Sequence, residues 1–347
     1  MRSTNGGALR HVLTHLLTPL LMCVGMGLAY LGAFAHPEPH RLPVAVVGSG
    51  TGTQVLAQTI ADKAGDRLAV RTVADREEAV RQLKDRQVFG AYVPGRRSPE
   101  LLIASAGSDT TAVAVQKVFQ PVAARQGAPL KVTDVVPPAE DDPTGQGIFF
   151  LLVALSIGSY ASVAVIGGAG AVLPMRLRVA LSGAMSLVVS VIGTLFAGPV
   201  FHLVDRGLPG LWAMAWVYSA GVLLVGTGLH TFLKRWTTLG VMVLFVMLNF
   251  TSAGGVYRPE LQNGFFAALH SFWNGAGFVE GIRSLVYFGH AGLGRHVWTL
   301  ALWLVAGVAV VCAAWAAEAR RARPATSAAP GAAADDAEEE MEEAVGV

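Results

Sequence analysis

The sequence predicts an α-helical polytopic membrane protein with six transmembrane helices, a re-entrant outer hairpin and an inserted extracytoplasmic α/β domain. Only 14% of its 347 residues are charged and 53% are hydrophobic, whereas soluble domains carry about 25% charged residues. Half of the charge lies in one segment, since residues 37–143 hold 13 of the 26 basic and 13 of the 24 acidic residues. Six apolar runs lie outside that segment, and each has about the 20 residues that a membrane span requires.

The first apolar run, residues 12–35, follows Arg2 and Arg10, as in a signal peptide. Its length exceeds the roughly 7–15 apolar residues of a signal-peptide core, so we interpret residues 1–36 as a cytoplasmic N-terminus and a retained first span. The sequence His-Pro-Glu-Pro-His over 36–40 offers zinc ligands, but its prolines favour a stiff linker. We therefore predict no metal and no cofactor.

Residues 37–146 are predicted to form the α/β domain outside the membrane. Apolar runs alternate with helix signals, which is the pattern of a small α/β sandwich. Asp75 and Glu78 have the spacing of a helix capping box. Five strands are predicted at residues 44–47, 68–73, 88–93, 101–105 and 130–136, and three helices at 51–64, 75–85 and 109–125.

A glycine-rich stretch, Gly48-Ser49-Gly50-Thr51-Gly52, joins the first strand to the first helix of this domain. Phosphate-binding loops occupy this position in other folds. The spacing here differs from G-x-G-x-x-G and no Lys-Ser or Lys-Thr follows. A tight strand-to-helix turn is therefore the favoured interpretation.

The five later runs belong to a membrane domain over residues 147–318, and none of them contains Asp, Glu, Lys or Arg. They lie at about 148–172, 179–204, 211–233, 237–256 and 297–317. Basic residues in short loops lie mainly on the cytoplasmic side. A cytoplasmic N-terminus places nine basic residues inside (Arg2, Arg10, Arg176, Arg178, Lys234, Arg235, Arg320, Arg321 and Arg323) and four outside (Arg206, Arg258, Arg283 and Arg295). We therefore predict a cell-membrane protein with both termini in the cytoplasm and residues 37–146 outside.

Residues 257–290 are too polar and glycine-rich to span a bilayer, yet too apolar and aromatic for an open loop. Irregular backbone at membrane depth must be buried in protein or line a cavity. We therefore predict a re-entrant pair of short helices that dips into the outer leaflet. An outer loop held on the headgroups by its aromatic side chains is the alternative.

The rest of the sequence limits the functional classes. Residues 319–347 are rich in Ala and Pro and then in Asp and Glu, which predicts a disordered acidic cytoplasmic tail. The formal net charge of +2 gives no indication of a nucleic-acid partner. The two cysteines, Cys23 and Cys312, lie in apolar runs. No catalytic arrangement of Ser, His, Cys or Asp can be assembled, so we do not predict an enzyme.

Residues 252–289 carry a glycine pair, a proline, an aromatic pair and an Ile-Arg pair in a fixed order, namely Gly254, Gly255, Pro259, Phe265, Phe266, Ile282, Arg283 and Gly289. This stretch resembles the segment between the fifth and sixth helices of ABC-2 type transporter permeases, in particular the Pip/YhgE-like membrane proteins. Pro43–Val47, Glu77–Ala79 and Gly90–Pro94 also resemble segments of that family's outer domain. The family's Asn-x-Asp after the first domain strand is replaced here by Gly48-Ser49-Gly50.

The resemblance implies a permease-like subunit of an exporter, embedded in the lipid bilayer, which forms a homo- or heterodimer and takes energy from a separate ABC ATPase subunit. Spans without Asp, Glu, Lys or Arg agree with this, because ion-driven carriers need buried charged residues, and they favour an amphipathic or lipid-like substrate. Arg176 and Arg178 are our candidates for a loop that contacts the ATPase. Seven residues are candidates for the re-entrant hairpin: Gly254, Gly255, Pro259, Phe265, Phe266, Glu280 and Arg283.

A non-transporting membrane protein is the alternative function, in which the outer domain binds a ligand, an envelope component or a partner protein. The arm before the first span has only about ten residues. That is short for the helix that exporter permeases place against their ATPase.

The predicted topology leads to a labelling experiment. A cysteine introduced within residues 75–85 is expected to react with a membrane-impermeant thiol reagent in intact cells. A cysteine in the acidic tail is expected to react only after the cells are lysed. The reverse pattern would overturn the orientation.

Overall fold

The structure, a computed structural model, describes residues 4–95, 98–125 and 127–321. These residues are mostly helical, with one small sheet between the first and second long apolar helices. Helix α1 (Thr4–Phe34) comes first, and the α/β unit follows from β1 (Leu42–Val47) to β5 (Lys131–Asp134). The remaining helices form a bundle.

The α/β unit contains a five-stranded sheet in the order β2-β1-β3-β4-β5. β1 is parallel to β2 and β3, whereas β4 and β5 are parallel to each other and run the opposite way. The other three strands are β2 (Leu68–Val73), β3 (Ala91–Val93) and β4 (Glu100–Ile103), and the helices are α2 (Thr51–Ala64), α3 (Arg76–Lys84) and α4 (Asp109–Arg125). This is the predicted order of elements.

The positions of the three helices follow from the handedness of the crossovers. The connections β1 to β2 and β2 to β3 move in opposite directions across the sheet, so right-handed crossovers place α2 and α3 on opposite faces. β4 and β5 point the other way, and their right-handed crossover returns α4 to the face of α2. The apolar clusters agree, because α2 and α4 share one core and α3 has its own.

One predicted strand is shorter than expected. The sequence predicts a strand over 88–93, but β3 covers Ala91–Val93 because the backbone before it is still turning out of α3. Arg86 has a positive φ of 59°. Phe89 N–H donates to the Pro43 carbonyl oxygen at 2.9 Å, which aligns the chain with β1 before regular pairing begins.

The bundle contains helices of several lengths. Among the described residues, five helical stretches are long and apolar enough to cross a membrane: Leu16–Phe34, Gly147–Gly167, Met175–Val200, Leu208–Leu233 and Leu293–Arg321. The run predicted at 237–256 instead forms a shorter apolar helix, Thr237–Ser252. It consists of α8 (Thr237–Met242), a π-helical turn (Val243–Met247) and α9 (Leu248–Ser252). At 1.5 Å per residue its 16 residues span about 24 Å, less than the ~30 Å hydrocarbon core.

The other bundle helices surround a central one. These are α5 (Gly147–Gly167), α6 (Met175–Leu195, with a π-helical turn to Val200), α7 (Leu208–Leu233), α10 (Gly264–His270), α11 (Asn274–Val286) and α12 (Leu293–Arg321). Helix α7 packs against α5, α6, α11 and α12, and half of its residues are buried. Helix α1 packs against the 237–252 helix at the periphery and exposes leucines along most of its length. The acidic tail beyond Arg321 lies outside the described residues.

Helices α7 and α12 approach closely because glycines line their contact. Gly221 of α7 lies against the backbone of Trp303 and Leu304, and a Cβ on Gly307 of α12 would lie 3.3 Å from the Gly221 carbonyl oxygen. A Cβ on Gly228 would lie 2.9 Å from backbone atoms of α12. Small residues of this kind allow helix backbones to pack in a membrane.

This contact is tested by the substitution Gly228→Leu. The new side chain meets the α12 backbone, which cannot rotate away, so we expect a loss of about 1–3 kcal/mol in stability and a lower thermal unfolding temperature in detergent. The matched control is Gly183→Leu on α6, because a Cβ there meets no atom within 4 Å. Equal unfolding temperatures for the two variants would refute the close α7–α12 contact.

Candidate functional site

The segment predicted to be a re-entrant hairpin forms two short helices, α10 and α11, between α9 and α12. Asn263 begins α10, since its side chain accepts from the backbone N–H groups of Phe265 and Phe266. Helix α11 is buried along nearly its whole length and packs against α5, α7, α9 and α12. The second helix of the pair therefore lies inside the bundle and not on its surface.

A polar network fixes the start of α11. The Asn249 carboxamide oxygen accepts from the Gly275 backbone N–H at 2.7 Å, and its Nδ2 donates to the Tyr218 hydroxyl at 2.8 Å. The Tyr218 hydroxyl also forms a hydrogen bond with Ser156. A Cβ on Gly275 would lie 2.3 Å from the Asn249 oxygen, so only glycine permits this approach. This network of buried hydrogen bonds joins α9, α7 and α5 to the start of α11.

A buried carboxylate lies at the centre of the candidate site. Glu280 of α11 is 1% exposed and accepts from three arginines. Arg283 Nη1, one turn later on α11, lies 3.0 Å from Glu280 Oε1, and Arg258 Nη1 lies 3.1 Å from Oε2. The third partner is Arg86, whose Nη2 donates to Glu280 Oε2. We call these four residues the Glu280 cluster.

Arg86 brings the α/β unit into the Glu280 cluster. It follows α3 and has a positive φ of 59°, which turns its side chain from the sheet towards α11. Its Nη1 also donates to the Ser284 hydroxyl at 3.1 Å, and its guanidinium carbon lies 5.1 Å from the centre of the Phe288 ring. In return, the guanidinium of Arg258 lies 4.4 Å from the centre of the Phe89 ring. The turn between α3 and β3 is therefore docked on the hairpin.

The charges of the Glu280 cluster do not balance internally. Three guanidinium groups face one fully buried carboxylate, and Glu260, 24% exposed, adds a second through a 3.3 Å contact with Arg258 Nε. Burial and the nearby Arg258 and Arg283 lower the pKa of Arg86. Buried ions of this kind are stable only when each is paired and hydrogen-bonded. The cluster thus depends on the Glu280 carboxylate.

Backbone groups of the predicted glycine pair complete the site. Arg283 Nη1 donates to the Gly254 carbonyl oxygen at 2.7 Å. Gly254 has φ +75°, and a Cβ there would lie 2.7 Å from the His270 ring and 3.0 Å from Glu280. The His270 Nδ1–H donates to the Ser252 carbonyl oxygen at 2.8 Å.

A cavity of about 350 Å³ lies beside the Glu280 cluster. Its lining includes Arg86, Arg258, Glu280, His270 and His296. The walls therefore come from the α/β unit, from both hairpin helices and from α12. The site is a polar junction between the α/β unit and the bundle.

The predicted hairpin residues have different positions in the structure. Gly254, Glu280 and Arg283 come together at the Glu280 cluster. Gly255 lies against the Phe149 ring, and Pro259 begins a short 3₁₀ turn beside Arg258. The aromatic pair lies away from the Glu280 cluster. Phe265 is 60% exposed, whereas Phe266 is buried. The Phe266 ring packs beside Gly32 of α1, where a Cβ would lie 3.7 Å from it.

The two arginines predicted to contact an ATPase are also separated. Arg176 is exposed near the start of α6. Arg178 was expected in a loop, but it lies within α6. There it is 6% exposed and paired with Glu318 of α12. Glu318 also accepts from Thr231 of α7 at 2.8 Å. Arg178 thus joins three helices internally and is not presented to a partner.

Two residues of the site were not predicted as site residues. Arg258 was counted only as a loop charge and Arg86 only as part of a charged domain. Arg86 and Glu280 are 194 positions apart, so no local spacing could indicate their contact. The sequence does contain one signal: Glu280 and Arg283 are charged residues in an apolar, glycine-rich segment, where such residues require buried partners.

Comparisons of the chain with family models, with curated proteins and with solved structures found no match.

The central role of Glu280 is tested by Glu280→Gln. This change leaves three buried arginines without their main counter-charge, and we expect a cost of about 3–5 kcal/mol, measured as a lower unfolding temperature in detergent. The control is Glu78→Gln, the same chemical change in the exposed Arg81–Glu78 pair of α3, which we expect to leave the unfolding temperature unchanged. Similar effects of both variants would show that the cluster has no special structural role.

Proposed function

We propose that the chain is the permease-like membrane subunit of an ABC-2 type exporter, which moves an amphipathic or lipid-like substrate outward with energy from a separate ATPase. In this proposal the protein is a homo- or heterodimer in the cell membrane. The five long helices and the shorter Thr237–Ser252 helix make six spans, with both termini in the cytoplasm and the α/β unit outside. The supporting observation is the buried hairpin helix α11, which is joined to the α/β unit through the Glu280 cluster.

The geometry of α11 supports transport because this helix contacts both parts of the chain that an exporter must coordinate. It packs against α5, α7, α9 and α12 inside the bundle, and Arg86 of the α/β unit is paired with its Glu280. A displacement of the central helices is therefore passed to the outer unit through a rigid, ion-paired contact. Continuous networks of packed side chains and salt bridges of this kind carry coupling between distant sites.

The energy source in this proposal is external. None of the five apolar runs after the α/β unit contains Asp, Glu, Lys or Arg, and His202 and His230 are their only histidines. These runs therefore offer an ion-driven carrier no carboxylate pathway. The exposed Arg176 is the residue of the predicted coupling pair that remains free to contact an ATPase.

A second candidate function is that of a non-transporting membrane protein whose outer unit binds a ligand. A large groove on the α/β unit, between α2 and α4, favours it. The two candidates differ in one feature, the presence of an ATPase partner.

The transport proposal is tested by affinity purification of the tagged protein from its native membrane. We expect an ATPase subunit to co-purify, Arg176→Glu to abolish the association by reversing an exposed charge, and the isolated chain to hydrolyse no ATP. The control is Arg206→Glu, because Arg206 is also exposed but lies in the loop between α6 and α7, on the proposed outer side. Repeated purifications without any ATPase would reject the exporter and favour the second candidate.

A further inference from the structure

The α/β unit has a long groove whose origin is topological. α2 covers the β1–β2 side of one sheet face and α4 covers the β4–β5 side of the same face. The connection before β3 places α3 on the opposite face. On the face of α2 and α4, Tyr92 of β3 is fully buried and stacks on Phe119 of α4, so the groove lies outside the sheet core, between α2 and α4. It encloses about 840 Å³, which is within the size range of small-molecule sites.

The floor of the groove is apolar. Leu56 and Ile60 of α2 face Val113, Val118 and Val122 of α4 across it. These positions recur at three- to five-residue intervals along each helix, so each helix presents an apolar stripe to the gap. Val113 is 41% exposed in the groove. Apolar surface left open in this way is typical of a site that another apolar group covers.

The rim of the groove is cationic. Four exposed basic side chains line it, Lys63 and Arg67 beside α2 and Lys117 and Arg125 on α4, against one acidic side chain, Asp109. None of the four cations takes part in a salt bridge among the described residues. An apolar floor with unpaired cations at its edge is complementary to a molecule with an apolar chain and an anionic head.

One end of the groove lies next to the start of the bundle. Pro37 and Pro39 of the linker after α1 line this end, together with Tyr257 and Leu261 from the segment before α10. The Tyr257 ring lies 6.0 Å from the ring of Phe34, the last residue of α1. An apolar helix long enough to span a membrane thus ends where the groove begins.

We propose that this groove binds an anionic phospholipid of the surrounding bilayer, with an acyl chain along the floor and the headgroup phosphate among the four rim cations. Two observations select this occupant: the charge complementarity of the rim and the continuity of the groove with the outer end of α1. The site does not require transport, because an exporter and a non-transporting protein can hold the lipid equally well. It does rest on the proposed orientation, in which the α/β unit lies outside.

The test uses the full-length protein in phosphatidylcholine nanodiscs that contain a small fraction of photoactivatable phosphatidylglycerol. After irradiation, mass spectrometry of the digested protein locates the lipid adducts. We expect adducts on peptides of α2 and α4, several-fold more than with photoactivatable phosphatidylcholine, and their loss on competition with unlabelled phosphatidylglycerol.

Two variants separate the floor from the rim. Val113→Trp fills the gap without changing charge, and the double variant Lys63→Glu/Lys117→Glu reverses the rim charge without filling it. Each is expected to reduce the adducts on α2 and α4 several-fold. Lys84→Glu is the matched control, because Lys84 is exposed on α3, on the opposite face of the sheet, and it should leave the adducts unchanged. Equal unfolding temperatures establish that all variants are folded.

Several results would overturn the proposal. Equal labelling by the two lipids would show that the rim does not select charge, and adducts confined to bundle helices would show that no lipid enters the groove. A groove without adducts, combined with a dimer that Val113→Trp dissociates, would assign this surface to a second copy of the chain. None of these results depends on an ATPase partner, so the lipid site and the exporter proposal can fail separately.

Discussion

The pairing of Glu280 with three arginines is the interaction on which the rest of this structure depends. A carboxylate that is 1% exposed requires compensation for its lost hydration. Its partners come from the hairpin helix itself, from the segment before it, and from the turn after α3 in the α/β unit. Satisfying one buried charge therefore fixes the hairpin inside the bundle and attaches the α/β unit to it.

The Glu280 cluster provides a contact between the α/β unit and the bundle that either candidate function can use. In an exporter, movement of the bundle would reach the outer unit through Arg86. In a binding protein, the groove between α2 and α4 would contact the segment before the hairpin directly, through Tyr257 and Leu261. The groove itself follows from the topology, because right-handed crossovers place α2 and α4 side by side on one face of the sheet.

The sequence predicts the periodic features of this fold better than its contacts. Apolar length and charge placement indicate the long helices, and alternating patterns locate β1, α2 and α4 within two residues at each end. Local periodicity cannot predict contacts between residues that are far apart in the chain, such as Arg86 with Glu280 or Arg178 with Glu318. For that reason the sequence predicts an exposed loop at Arg178, which is in fact buried in α6, and it gives no indication that Arg86 pairs with Glu280.

The most direct test of the account is the distance between the α/β unit and the bundle, measured by pulsed electron spin resonance. Spin labels at Gln120 on α4 and Trp298 on α12, with the native cysteines replaced, report this distance. We expect a narrow distribution of label-to-label distances for the parent protein. The control Arg76→Met, which removes an arginine from a partly exposed pair, is expected to give the same narrow distribution. We expect a broad distribution for Arg86→Met. An equally narrow distribution in Arg86→Met would contradict the claim that the Glu280 cluster holds the two parts together.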